Sequence, residues 1–348
     1  MTTRLLKGKI LTIVMSMMVV GYIIAFTSCQ SDPTKANTKA DQGGPDRTLE
    51  QLNSLVEKDP TDANLLYERA KHLYSQGQYD PVVTDMKAAI ELDSLVPDYY
   101  HLLSNAYMDY YRSRDALNTM VDAADRFPKR IPTLLKLSET QLILKQNEES
   151  LFTVAKILTI DPDNAEGHFM KGMNFRAMGE TDRAIAAFQT VTELDPEVLD
   201  AWLLIGDLFE EKGLPIAKEF YEAATRIAPE ETNVWHSLAY YLQNNGDDQG
   251  AIDIYRKINL LDKNYPDAYL NAGIIHFTND ALDKAKEQFD ILAKIQPENH
   301  FAYYYRGLIH EKNGDIVSAR NDFQSSINLK SDFADPKNAL LRLDAKGK

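Results

Sequence analysis

The chain has 348 residues, 44% hydrophobic and 26% charged, with 38 Lys and Arg against 52 Asp and Glu for a net charge of −14. Residues 1–28 hold Arg4, Lys7 and Lys9 and no acid, so the remainder carries −17 and lacks the clustered cations that a phosphate backbone requires; nucleic acid is a poor candidate partner. The single cysteine, Cys29, excludes intrachain disulfides and cysteine-rich metal sites.

At the N-terminus, Arg4, Lys7 and Lys9 precede an apolar run from Ile10 to Phe26, followed by Thr27, Ser28 and Cys29. A positive start, an apolar stretch and small residues form a secretory signal. The placement of Cys29 resembles the lipobox of bacterial lipoproteins, with Phe26 and Ser28 where Leu and Gly or Ala are commoner. The resemblance implies cleavage before Cys29 and its acylation (a palmitate-type lipid anchor), making 1–28 a signal peptide. An uncleaved single-pass anchor is the alternative, with an apolar run on the short side for spanning. Both readings place the rest of the chain outside the cytoplasm. Residues 29–45 read as the lipidated cysteine and a polar, disordered linker. The residue after Cys29 is Gln30, not Asp, which by the same resemblance implies the outer membrane of a bacterial cell envelope.

Residues 46–62 carry Leu49, Leu52, Leu55 and Val56 and end in Asp59-Pro60, which fits the second helix of an incomplete repeat. From Ala63 to Phe333 the chain then repeats every 34 residues, eight times, with one residue missing in the fifth unit around Leu214-Pro215-Ile216. Position eight is always small: Ala70, Ser104, Ser138, Gly172, Gly206, Ala239, Gly273, Gly307. Position four carries Leu66, Tyr100, Leu134, His168, Trp202, Trp235, Tyr269 and Tyr303, and position twenty-four an apolar or aromatic residue from Met86 to Phe323. Each unit reads as two helices. Gly77, Gly179, Gly213, Gly246 and Gly314 follow the first, where a left-handed cap suits Gly. Pairs such as Asp161-Pro162 and Asp195-Pro196 end the second. Residues 334–348, with Ala339, Leu340 and Leu343 on one side, read as a capping helix. The count is about eighteen helices in an all-α solenoid of stacked units.

The best unit, Trp202, Ile205, Gly206, Phe209, Ala217, Tyr221, Ala224 and Pro229, resembles the tetratricopeptide repeat, TPR. Arg69, Lys171 and Arg306 depart from it at a position usually filled by Leu. The resemblance implies a right-handed α-solenoid whose first helices line a concave groove for a protein or peptide segment. Carried over, the groove residues are Tyr67, Met108, Leu135, Leu142, Phe169, Met173, Leu203, Tyr240, Leu270, Ile274, Phe277, Tyr304 and Leu308, with Glu139, Asp207, Glu210 and Glu211 as acids. Lys and Arg are absent from position five, so the carboxylate clamp of one TPR subfamily is not supported.

The seven histidines are spread over six repeats, with His300 and His310 sharing the eighth, without an H-E-x-x-H motif, and read as packing residues rather than metal ligands. No nucleophile elbow, P-loop or dinucleotide motif occurs, and no cofactor is implied. The acidic pairs Glu148-Glu149 and Glu210-Glu211 are expected to be solvated. The resulting expectation is a non-catalytic, membrane-tethered scaffold that supports a cell-envelope complex. A glycan- or nutrient-capturing lipoprotein is the alternative, but the continuous register leaves no inserted loop to build a sugar site.

Overall fold

A computed structural model describes residues 48–346 of the chain. The expected signal peptide, Cys29 and the linker lie outside them. Among the described residues there are eighteen α-helices and no strand. The half repeat is α1 (Leu49–Lys58). The first four full repeats are α2 (Ala63–Ser75) with α3 (Tyr79–Leu92), α4 (Pro97–Asp109) with α5 (Ser113–Arg126), α6 (Ile131–Ile143) with α7 (Asn147–Ile160), and α8 (Ala165–Ala177) with α9 (Thr181–Leu194). The next four are α10 (Leu199–Glu211) with α11 (Ala217–Ile227), α12 (Thr232–Asn244) with α13 (Asp248–Leu261), α14 (Pro266–Thr278) with α15 (Leu282–Ile295), and α16 (His300–Lys312) with α17 (Ile316–Leu329). The last helix is α18 (Ala334–Lys346).

Local chemistry sets these boundaries. The Asp62, Asn164 and Asn299 side chains accept from backbone N–H groups in the first turns of α2, α8 and α16, satisfying donors that a helix start leaves open. Pro97 and Pro266 open α4 and α14, where the missing N–H costs nothing. After each first helix one residue turns left-handed. Five are the expected glycines, with φ between 68° and 83°. The other three are Tyr111, Lys145 and Asp280, at 58–59°, a position where Cβ meets the backbone. The missing residue is taken from the turn of the fifth repeat. Leu214-Pro215-Ile216 stay outside the helix, and α11 has 11 residues where the other second helices have 14.

Packing inside each repeat turns on one exchange of volume. A Cβ added at Gly172 would lie 2.5 Å from the Phe188 ring; at Gly206, 2.9 Å from Tyr221; at Gly273, 2.8 Å from Phe289; at Gly307, 2.7 Å from Phe323. The small eighth position therefore receives the twenty-fourth residue of its own repeat, flat against the helix backbone. Where position eight is Ala70, Ser104 or Ser138, position twenty-four is the narrower Met86, Met120 or Val154, also fully buried. Ala239 beneath Tyr255 is the one tighter combination.

Consecutive repeats are joined through position four. Trp202 Nε1 donates to the Pro196 carbonyl at 2.9 Å, and Trp235 Nε1 to that of Pro229 at 2.8 Å. Tyr100 and Tyr269 donate to Ser94 and Lys263 at 3.2 and 3.1 Å, and His168 Nε2 lies 2.9 Å from Pro162 O. A ring with a polar tip both fills the joint and satisfies a turn carbonyl six residues earlier. His168 is thus a hydrogen-bonding residue as well as a packing one, and Lys263, like Ser94, serves where other repeats have Pro because its carbonyl does the work.

The unusual arginines have the same kind of local reason. Arg69 Nε and Nη2 donate to Asp85 at 2.8 and 2.6 Å, and Arg306 repeats the arrangement on Asp322 at 2.8 and 2.6 Å. Each pairs position seven with position twenty-three of its own repeat. Both aspartates are buried, so the bidentate bond replaces lost water. At the ends, Leu52 and Val56 of α1 are buried, as are Ala339 and Leu343 of α18. These two helices cover the apolar faces that a stack leaves open.

Candidate protein-binding face

Five of the seven successive pairs of first helices touch, α6 with α8 most extensively, whereas no comparable contact joins successive second helices. The first helices therefore form the inner layer and the second helices the outer one. Side chains at positions five, nine and twelve of α2, α4, α6, α8, α10, α12, α14 and α16 are the ones expected to line the inner surface.

Eleven of the thirteen candidate residues are half-buried, partly covered yet accessible. Tyr67 and Met108 rest on the core of the first two repeats, Leu135 on the next, and Met173 on the fourth. Leu270, Ile274, Phe277, Tyr304 and Leu308 edge the core of the last two repeats. Leu142 and Tyr240 complete the half-buried set. The remaining two are core, not surface. Phe169 is buried edge-on against Phe188, with ring centroids 5.4 Å apart, and Leu203 is buried with Val234 and Leu238 of the following repeat. Position five can reach the next repeat, as Leu203 does, or lie against position twenty-four of its own, as Phe169 does on Phe188. Tyr67 meets the Tyr99 ring at 5.2 Å, and His101 Nε2 lies 3.1 Å from Thr133 Oγ1. His236 Nε2 lies 3.2 Å from Asn271 Nδ2. Burial, with help from the Arg130 charge, pushes the His101 imidazole down to about 4, and burial lowers His236 as well.

Position twelve of one repeat touches position thirteen of the next, a rung that spacing alone did not reveal. Tyr74 donates to Asp109, Asn244 donates to Glu210 at 3.3 Å, and Lys312 sits 4.8 Å over the Phe277 ring. In the middle of this ladder the Tyr221 hydroxyl lies 2.8 Å from Asp207 and 3.0 Å from Glu210. Glu210 is therefore half-buried and tied down, contrary to the expectation that the Glu210-Glu211 pair is solvated; Glu211, Glu148 and Glu149 are exposed. Burial raises the Asp207 carboxyl, opposed by the Tyr221 hydrogen bond and the Arg176 charge, and burial raises the Tyr221 hydroxyl too. Tyr255 repeats the pattern toward Gln243 at 2.9 Å. The signal was present in the sequence: the two repeats with Tyr rather than Phe at position twenty-four carry Glu or Gln at position twelve.

The inner face is thus an apolar and aromatic strip with an acidic centre around Asp207 and Glu210, suited to an extended or helical protein segment. Among the described residues no group of three His, Cys, Asp or Glu side chains is arranged to hold a metal ion.

Comparison with known proteins agrees with this architecture. The family described as Tetratricopeptide repeat matches residues 169–232 and 270–338. Protein CTR9 homolog of Arabidopsis thaliana is 20% identical over 256 residues, covering 72% of this chain and 21% of the relative. The chloroplastic Tetratricopeptide repeat domain-containing protein PYG7 of the same plant is 25% identical over 150 residues, covering 43% and 40%. The chain spans between about a fifth and two fifths of the length of these curated relatives. A crystal structure of MamA superposes at a TM-score of 0.42 with 26% identity, over 46% of this chain and 94% of MamA.

Proposed function

We propose that this chain is a non-catalytic, membrane-tethered scaffold whose inner face holds segments of partner proteins to support assembly or regulation of a cell-envelope complex. The observation that carries the binding part is the strip of half-buried apolar side chains on the first helices, from Tyr67 to Leu308, present in seven of the eight repeats and interrupted in the fifth by Asp207 and Glu210. Apolar and aromatic groups that are partly covered gain area when a partner arrives, yet are already held in place, which lowers the ordering cost of binding. The tether and the envelope rest on Arg4, Lys7, Lys9, the Ile10–Phe26 run and Cys29. A triacylated Cys29 would keep the chain on a membrane, since more than one acyl chain is needed to hold firmly.

The test is photo-crosslinking in membranes from probes placed at Leu142, Tyr240 and Ile274, followed by identification of the captured proteins. The reading expects one recurrent protein set, lost when Tyr240→Ala and Phe277→Ala are combined. Capture of lipid or sugar alone from all three positions would sink it. Cys29→Ala is expected to shift the protein from the membrane to the soluble fraction; retention would point to the uncleaved anchor.

A further inference from the structure

The residue that turns left-handed between the two helices of a repeat stands at the tip of its hairpin, and five of the eight are glycine. In the second repeat it is Tyr111, at φ 59° and 96% exposed. A bulky side chain in that conformation strains the backbone. Almost nothing in the chain packs on this ring, so the contact that compensates for the strain lies outside the chain.

Its surroundings extend the patch. Tyr110 and Ile143, just before the tips of the second and third hairpins, are 41% and 56% exposed. Behind them the Tyr74, Tyr79 and Tyr110 rings follow one another at 5.8 and 6.2 Å. The acids nearest these rings, Asp80 and Asp109, each accept from a tyrosine hydroxyl, that of Tyr110 at 2.9 Å and that of Tyr74. The third tip is Lys145, and Arg114 follows the second; both are exposed, and no ion pair engages either among the described residues. The seventh tip, by contrast, is Asp280, and Asp247 and Asp315 follow the sixth and eighth. Aromatic rings with polar ends favour the boundary between water and lipid, and anionic headgroups attract cations and repel acids.

The place where the preceding chain joins the body identifies the occupant. Residues 1–47 lead into α1. The short connection 59–62 makes α1 antiparallel to α2, so Leu49 lies at the end where first helices stop, the end that carries the tips. Accordingly, Leu49, Tyr74 and Tyr79 edge the same core. A membrane tether of either kind, an acylated Cys29 or an uncleaved run 10–26, therefore enters beside the tyrosines. Residues 30–48 would average about 25 Å as a coil and reach about 65 Å fully extended. The bilayer is then at high effective concentration beside this edge, and a few side chains suffice to hold it there. The opposite edge also exposes an apolar residue, Leu95 at 76%, but no tether enters there.

We propose that the hairpin tips of the second and third repeats, with Tyr110, Tyr111, Ile143 and Lys145, rest in the phospholipid headgroup layer of the membrane that holds the tether. This docking depends on the tether proposed above and not on the inner strip.

The experiment is photo-crosslinking on the full chain, extracted from membranes and reconstituted into vesicles of phosphatidylethanolamine and phosphatidylglycerol. Benzoylphenylalanine is placed in turn at Tyr111, Ile143, Leu95 and Asp280, and adducts are identified by mass. Flotation with the vesicles reads the tether; the adducts read the edge. Phospholipid adducts are expected from Tyr111 and Ile143, and none from Leu95 on the opposite edge or Asp280 at the seventh tip. Tyr111→Asp with Lys145→Asp gives both tips the residue that the seventh already holds, so the turn is kept. In that variant the Ile143 adduct should be lost while flotation persists. No lipid adduct from Tyr111 or Ile143 in a chain that floats, equal yields at all four positions, or an Ile143 adduct that survives the double substitution would overturn the docking and leave the tether standing. A parent chain that fails to float would overturn both.

Discussion

In the eighth repeat Gly307 lies under the Phe323 ring, and Arg306 is locked to a buried Asp322. In the third, Ser138 and Val154 take the first two places, and Leu137 and Thr153 the other two. The third repeat fills its joint with polar groups instead. Ser150 Oγ lies 2.9 Å from Ser138 Oγ and 2.9 Å from Asn174 Nδ2, while Asn174 also donates to the Met170 carbonyl at 2.7 Å. One backbone unit is thus held by ring and ion pair at one place and by small hydroxyls at another. The helix spacing tolerates either because the sum of the two facing side chains, not either one, must match the gap. The family match covers the eighth repeat and not the third, in line with the loss of the Gly–aromatic signature there.

The largest expected effect separates the two kinds of joint. Asp85→Ala strands the half-covered Arg69 guanidinium and should cost about 3 kcal/mol in denaturant unfolding; Asp322→Ala leaves Arg306 its second carboxylate, Asp290 at 3.1 Å, and should cost about 2 kcal/mol, whereas Thr153→Ala should cost about 1 kcal/mol. Equal losses at all three sites would break the comparison. The volume exchange is tested by a cycle in the third repeat. Val154→Phe alone should cost about 2 kcal/mol by overpacking against Ser138, and adding Ser138→Gly should recover most of it. Additive penalties would mean that the two positions do not share one space.

Acid should act at the junction of the second and third repeats. The folded His101 sits below its unfolded value of about 6.5, so the unfolded chain binds the extra proton; stability is complete above that value and falls as pH drops toward about 4. Its partial exposure reduces the effect to roughly 2 kcal/mol. A His101→Gln variant should show a shallower decline in melting temperature over that window. The smallest effect is at the turn. Lys145 is held left-handed where the eighth repeat has Gly314, so Lys145→Gly should gain about 1 kcal/mol, and Gly314→Lys should lose as much. A lower melting temperature for Lys145→Gly would show that its side chain outweighs the backbone strain.

Of the inner strip, the positions were readable from period alone, because a helix places every thirty-fourth residue at the same angle. Whether each was open was not. Phe169 and Leu203 occupy the same position as Tyr67 and Leu270, yet they are buried, since Phe188 in one case and Val234 with Leu238 in the other close over them. The tie of Glu210 to Tyr221 and Asn244 was likewise hidden among residues 11 and 34 places apart. Five of the eight left-handed turns were marked by glycine, and the other three carried no local sign.

By itself, the chain's order of residues determined that it folds as paired helices at a fixed spacing, and marked most of the points where they start and stop. Those features depend on backbone preferences and on contacts within one unit, which recur with the period. The tertiary structure alone decided which inner side chains remain accessible and how each joint is filled. These depend on the particular side chains that neighbouring helices bring to one place, and such encounters do not repeat.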